Sequence, residues 1–340
     1  MTQACDLACK HCRADATPRC HPNELTTEEA MAFLDDVRTF GTNQLLVLSG
    51  GDPLFRDDTL ELVEYGLDIG LQVTMTPSGT RSLTADIVKT FASIGLRRLA
   101  LSFDGASPET HDAFRQERGS FEQTIAAARA ARENDLPLQV NTTVCAETVG
   151  ELPDIAALVD TLDAVLWSVF FLVPVGRGTT LQSITPDRAD RVMRWLADID
   201  DRYSFAVKTT EAPQYRRITQ QTTGIDHPTM PGAGIIAGDG FAFVSHTGEV
   251  YPSGFLPYSV GNVRETSIVE LYRSAPLFTQ LRDRDRLRGK CGACEFRNIC
   301  GGSRSRAFAT TGDPFASDLL CPYRPQDYQG PMPQASQPSD

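Results

Sequence analysis

The sequence has no apolar run near the ~18 residues that a membrane-spanning helix needs. The stretch Ala164–Val173, AVLWSVFFLV, has the length of a buried strand. No secretory signal opens the chain, so a cytoplasmic protein without membrane contact is expected. Positive charge is also short: Lys and Arg number 32 against 44 Asp and Glu, for a net charge of −12 and a pI near 4.9. That sign excludes a general nucleic-acid-binding surface, which would be basic. Lysine occurs only at Lys10, Lys89, Lys208 and Lys290, so nearly all the positive charge is arginine. Cysteine is sparse, with nine in 340 residues, an odd number that fits no disulfide framework. What remains is a chain of 41% apolar content, long enough for one large domain plus a smaller one.

Apolar, β-branched runs alternate with amphipathic stretches. Strands are predicted at Gln44–Leu48, Leu71–Thr76, Leu96–Phe103, Leu138–Val144 and Val165–Val173. Helices are predicted at Thr27–Phe40, Asp58–Gly70, Ala85–Ile94, Phe121–Asn134 and Glu151–Leu162. Thr26 or Thr27 caps the first helix, and Glu28 and Glu29 complement its dipole. This rhythm means βαβ units and a parallel sheet, whose strands, covered on both faces, read as continuous apolar runs. After Gly178 it changes to a helix over Asp187–Asp201 and a polar stretch, Thr209–Gly240, that reads as linker. Phe241–Ser245 and Glu249–Tyr251 then form a predicted β-hairpin. Beyond Tyr328 the composition is that of a disordered tail.

Two groups of cysteines carry chemistry. Cys5, Cys9 and Cys12 lie in CDLACKHC, a C-x3-C-x2-C spacing. Three thiolates on so short a loop can hold three irons of a four-iron, four-sulfur cluster and leave the fourth open to another ligand. A structural zinc site is the alternative, with Cys20, His11 or His21 completing it. Cys291, Cys294 and Cys300 in CGACEFRNIC, with Cys321 in LLCPY, make a set of four suited to a closed cluster or a zinc ribbon. At the carboxyl end of the first predicted strand stands SGGDP, Ser49 to Pro53, where two glycines let backbone approach a ligand closely.

The triad and SGGDP together resemble the radical S-adenosylmethionine (SAM) enzymes, whose hallmarks are this cysteine spacing and a GGEP-like segment; Asp52 replaces the usual Glu. The resemblance implies an α/β fold, a partial (β/α)6 barrel. Its first strand would precede the cluster loop and is expected to be truncated here. A small SPASM/twitch-like α+β iron–sulfur domain follows. The expected divisions are a barrel over 1–180, a connecting helix and linker over 181–240, an auxiliary-cluster domain over 241–328 and a tail over 329–340.

By the same resemblance, the N-terminal [4Fe-4S] cluster binds SAM through the amino and carboxylate groups of its methionine part. Gly50, Gly51 and Asp52 would accept hydrogen bonds from the amino group. Ser102 and Asp104 in LSFDG would meet the ribose or the methionyl group, and Arg115 in HDAFR the carboxylate. Asn141 and Val173 would meet sugar and adenine, and His11 would pack on the adenine. For Asp104 a self-capped turn, for Val173 plain core and for Arg115 a surface ion pair remain open. The C-terminal cysteines resemble the SPASM extension, which normally holds two auxiliary clusters. Ser253 and Arg304 stand where ligands of one would be, so a single auxiliary [4Fe-4S] cluster is expected. Cys145 reads as buried filler.

The runs FFLVPVGRG, FVSHTGEVYPSGFLP, GNVRETSIVELY and CGGSRSRAFA resemble the subgroup acting in the alternative haem pathway and haem d1 formation. That implies oxidative decarboxylation of tetrapyrrole propionates, with Arg177 in VGRG as a substrate contact and a ferredoxin or flavodoxin as external electron donor. Many SPASM proteins instead modify ribosomal peptides. A non-catalytic metal-binding or electron-transfer protein is the third reading.

Overall fold

A computed structural model describes residues 1–199, 202–224 and 236–333. Helix α1 (Thr27–Arg38) precedes strand β1 (Leu45–Leu48). Then follow α2 (Thr59–Asp68), β2 (Gln72–Met75), α3 (Ala85–Ser93), β3 (Arg98–Ser102), α4 (Pro108–Arg115), α5 (Ser120–Glu133) and β4 (Leu138–Val144). The series closes with α6 (Leu152–Thr161), β5 (Leu166–Phe171), α7 (Pro186–Ile199), β6 (Ala206–Thr210) and α8 (Gln214–Thr223). The six strands pair in parallel, in chain order, as an open half-barrel. One continuous row of the ladder runs Ser102, Asn141, Ser168, Lys208.

The outer face of the sheet carries Leu48, Val73, Met75, Leu99, Leu101, Val140, Trp167, Val169, Phe171 and Val207, all buried against the helices. Burial at this scale is worth roughly 1.5–3 kcal/mol per large side chain and is the main support of the fold. Alternation puts Thr74, Arg98, Ser102, Asn141, Ser168 and Lys208 on the inner face. That face is largely polar, with Thr74, Asn141 and Ser168 buried, unlike the continuous apolar surface expected on both sides of the sheet. Thr26 caps α1 through a reciprocal box: its hydroxyl accepts from Glu29 N (3.2 Å) and its own N–H donates to the Glu29 carboxylate (2.9 Å).

Two elements differ from the sequence expectation. Strand β6, AVKTT, is too short and polar to read as a strand, yet five of its residues pair with β5. Helix α8 likewise falls inside the stretch taken for linker. The barrel therefore runs past residue 180, through α8. Residues 225–235 of that stretch, and the tail from 334 onward, lie outside the described residues.

The C-terminal part holds the hairpin of β7 (Phe243–Val244) and β8 (Val250–Tyr251), then α9 (Ile268–Ser274), α10 (Pro276–Arg282), α11 (Gly289–Gly292) and α12 (Arg304–Thr311). Val250, Ile268, Leu271 and Phe278 form its own small core. It is tied back to α1: Arg264 grips Glu29 at 2.7 and 2.8 Å, and the Asp36 carboxylate accepts from Ser267 Oγ and Ile268 N. No helix among the described residues is long and apolar enough to cross a membrane.

Candidate active site

The three N-terminal cysteines sit on one loop at the carboxyl ends of the strands. The loop closes on itself through Cys5 N to Thr17 O (2.8 Å) and Cys12 N to Cys9 O (3.2 Å). Backbone donors already face two of the sulfurs. Leu7 N points at Cys5 Sγ (3.4 Å), Ala16 N donates to Cys12 Sγ (3.4 Å), and the Cys5 thiol donates to Ser78 Oγ (3.3 Å). Such backbone donors favour thiolate and hold a cluster's ligands in place. Burial pushes the Cys5 and Cys9 thiols up, while the Arg115 charge opposes it. A bound metal centre supplies the positive charge that deprotonates them.

Arg177 does not point to a substrate space. Its Nε donates to Cys9 O (3.0 Å), one terminal nitrogen to Ala16 O (2.8 Å), and the other reaches Leu7 O (3.5 Å). The guanidinium expected to meet a substrate carboxylate is spent on the carbonyls of the cluster loop. Gly176, at φ +54°, lets that turn close on the loop, since a Cβ there would lie 2.5 Å from Cys12 O.

The SGGDP segment also has a structural duty. Residues 1–4 run alongside it, with Gly51 N bonded to Thr2 O and Asp52 N to Ala4 O, both at 2.7 Å. A Cβ on Gly50 or Gly51 would stand 2.4 or 2.2 Å from those carbonyls, so only glycine permits the approach. The buried Asp52 side chain accepts from Thr80 Oγ1 (2.8 Å) and Leu54 N (3.2 Å), capping the short turn Pro53–Phe55. Burial raises its pKa, against those hydrogen bonds.

Beside the loop lies a buried ionic knot. Asp104 accepts from Thr143 N (2.8 Å) and pairs with Arg115 (3.4 Å), with His11 Nε2 at 3.9 Å. Burial works against its charge, yet His11 and Arg115 hold the carboxyl below its usual range. The self-capped turn and the surface ion pair are thus both set aside. Arg115 also donates to Ser78 O (3.0 Å), but its buried Nε has no acceptor, and neither does buried His11 Nδ1 have a partner. His11 stacks on Phe114 at 5.0 Å. Two orphaned polar atoms beside three thiols are what a polar cofactor bearing a carboxylate would satisfy. Ser102 ends β3 in the same region, Asn141 is buried and accepts from Gln139 (2.7 Å), and Val173 is buried beyond β5.

The four C-terminal cysteines line a single pocket with Arg217, Lys290, Gly302 and Tyr323. Gly302 N donates to Cys300 Sγ (3.4 Å) and Asp318 N to Cys291 Sγ (3.5 Å), while Arg304 reaches Cys291 Sγ at 3.8 Å. A Cβ on Gly302 would stand 3.2 Å from that sulfur, so the glycine keeps the cradle open. Burial raises the Cys294 thiol to about 11 and drives Cys300 higher still. Among the described residues no three His, Cys, Asp or Glu are grouped as ligands of one metal ion. Thiols spread around a cavity suit a cluster.

Where ligands of a second auxiliary cluster would be, a carboxylate stands. Buried Glu211, in the left-handed region at φ +55°, accepts from Ser253 Oγ (3.0 Å), Ser303 Oγ and Ser305 Oγ (2.8 Å). Arg304 is buried and bonded to the carbonyls of Gly302, Pro314 and Ala316. These bonds fill the space with protein, in accord with one auxiliary cluster. Glu211 was invisible in the sequence because it closes contacts 42, 92 and 94 residues away.

Residues 1–159 match the radical SAM superfamily and residues 236–295 the SPASM iron–sulfur cluster-binding domain. The chain is 41% identical, over 96% of its length and 95% of the relative's, to an AdoMet-dependent heme synthase of Methanosarcina barkeri. A protein of the same description from Nitratidesulfovibrio vulgaris is 38% identical over 96% of this chain and 91% of its own. The chain belongs to the radical SAM superfamily. It is therefore an enzyme that uses SAM and a [4Fe-4S] cluster, with auxiliary iron–sulfur binding in its SPASM domain. Its fold is that of Streptococcus suis SuiB crystallised with S-adenosylmethionine, at a TM-score of 0.74, 15% identity and coverage of 95% of this chain and 76% of that one.

Proposed function

We propose that this enzyme converts propionate side chains of an iron tetrapyrrole to vinyl groups by oxidative decarboxylation. The observation that carries this reading is the near-full-length 41% identity to an AdoMet-dependent heme synthase. When bound, the N-terminal cluster and SAM supply a carbon-centred radical able to take hydrogen from an unactivated C–H bond.

The chain's residues arrange the parts. Cys5, Cys9 and Cys12 would ligate three irons of the SAM-binding cluster. Arg115, through its free Nε, would take the SAM carboxylate, and Asp104 holds that guanidinium in place. Ser102, Asn141 and Val173 would line the ribose and adenine, with His11 beside them, and the SGGDP backbone at Gly50, Gly51 and Asp52 would border the amino group. Loss of hydrogen and carbon dioxide from a propionate leaves one surplus electron. Cys291, Cys294, Cys300 and Cys321 would hold a group fit to take it, and the neighbouring cations Arg217, Lys290 and Arg304 favour added negative charge there. A ferredoxin or flavodoxin as outside donor and a cytoplasmic setting belong to the same reading; all nine cysteines are unpaired.

Anaerobic incubation of the reconstituted enzyme with iron-coproporphyrin III, SAM and dithionite tests it. The expected products are 5′-deoxyadenosine and a tetrapyrrole lighter by two carbon dioxide units. Nucleoside formation beside an unchanged tetrapyrrole would remove this substrate and leave peptide modification in its place.

A further inference from the structure

The inner face of the half-barrel carries two cations that have no carboxylate partner among the described residues. Arg98 opens β3 and Lys208 lies in β6; their strand neighbours Leu99 and Val207 are buried on the outer, helix-covered face, so both side chains rise from the inner one. Both are half-buried. Among the described residues neither has a carboxylate within 4 Å or a side-chain hydrogen bond, although the chain's other ion pairs are well matched. They share one face, Arg98 in register with Thr74 and Lys208 with Ser168. Burial, then the charge of Arg98, push the Lys208 ammonium below its ordinary range, and burial does the same to Arg98. Lys208 is one of four lysines in the chain, so a half-buried lysine here is not a product of composition.

Around them the inner face is mixed, with Thr74, Asn141 and Ser168 beside a few apolar side chains. Leu45 and Val47 of β1, opposite in phase to the packed Leu46 and Leu48, remain 52% and 48% exposed on the inner face, and Phe170 of β5 is half-buried there. Two cations without a carboxylate partner, with exposed Leu45 and Val47 on the same face, suit a ligand that is partly apolar and anionic at its rim. Arg98 lies four residues from Ser102, or about 13 Å of strand. A carboxylate held at Arg98 is therefore kept far from the cluster loop.

We propose that Arg98 and Lys208 form an anchoring site for a tetrapyrrole carboxylate that does not react, fixing which side chains face the cluster. The proposal rests on the tetrapyrrole reading above and adds to it the groups that orient the substrate.

Optical titration of the reconstituted full chain with iron-coproporphyrin III, without reductant, reads binding apart from turnover. The double variant Arg98→Gln, Lys208→Gln should weaken the Kd about tenfold or more, since two charge-assisted contacts are lost. The charge-keeping pair Arg98→Lys, Lys208→Arg should recover most of it. The tetramethyl ester of the same porphyrin should bind wild type and double variant alike. Iron content verifies that each variant is folded; if the double variant loses iron, Arg98→Gln alone carries the comparison. Equal affinity of wild type and glutamine variants for the free acid would overturn the anchoring site. A wild type that binds no iron-coproporphyrin would instead overturn the tetrapyrrole reading, a separate failure.

Discussion

His111 is fully buried behind the site with both ring nitrogens engaged: Nδ1 accepts from Asp104 N (3.3 Å) and Nε2 meets Ser120 Oγ (3.3 Å). Burial, then the charge of Arg115, push its pKa from 6.5 to about 4. An unfolded chain binds a proton at His111 near 6.5 while the folded one resists, so this stability is full above 6.5 and is lost as pH falls toward 4. The difference is worth about 3 kcal/mol. A His111→Asn variant should lose less stability than wild type between pH 6.5 and 4, by denaturant unfolding at each pH; parallel curves would mean the ring titrates freely in the fold. Glu211 is a second residue on which distant parts depend. Glu211→Ala would strand three serine hydroxyls in a buried site and should lower the unfolding free energy by about 3 kcal/mol. A loss within ~0.5 kcal/mol would show those hydroxyls to be satisfied elsewhere.

At the scale of elements, the turn Gly176–Thr180 after β5 is the clamp on the cluster loop. Arg177 reaches three loop carbonyls, and Arg177 N adds a fourth bond to Cys12 O (3.1 Å). Arg177→Ala should therefore loosen the loop. Iron retained by the N-terminal site and formation of 5′-deoxyadenosine should both fall, with little change in the substrate's KM. A raised KM with full iron content would restore Arg177 as a substrate contact. Strand β6 shows why local pattern was not enough: its polar residues Lys208 and Thr210 belong to an inner face that exists only once the strands have paired and curved.

At the scale of the whole molecule, one buried arginine adds to the contacts between the barrel and the C-terminal part. Arg306 donates to Phe171 O (3.1 Å), Leu172 O (3.2 Å) and Glu211 O (2.7 Å) on the barrel side and pairs with Asp318 (3.0 Å) on the other. Asp318 in turn accepts from Gln214 of α8 (2.6 Å) and donates its N–H to Cys291 Sγ. The joint thus leads straight to the four-cysteine cavity. Cys294→Ala should leave SAM cleavage without substrate intact but sharply reduce conversion of substrate, measured as product per 5′-deoxyadenosine formed. Unchanged coupling would exclude that cavity as the resting place of the surplus electron.

The cysteine spacings, SGGDP and the alternation of apolar runs were determined by the sequence alone, because each is a local signal: ligands on one loop, glycines at one strand end, a period within one element. The three-dimensional arrangement decided what depends on distant partners. It turned Arg177 from the substrate to the loop, set Glu211 among three serines in place of cluster ligands, and brought Arg98 and Lys208 onto one face. Such choices arise from curvature and burial, which place residues a hundred positions apart in contact and leave no trace in the order of the chain.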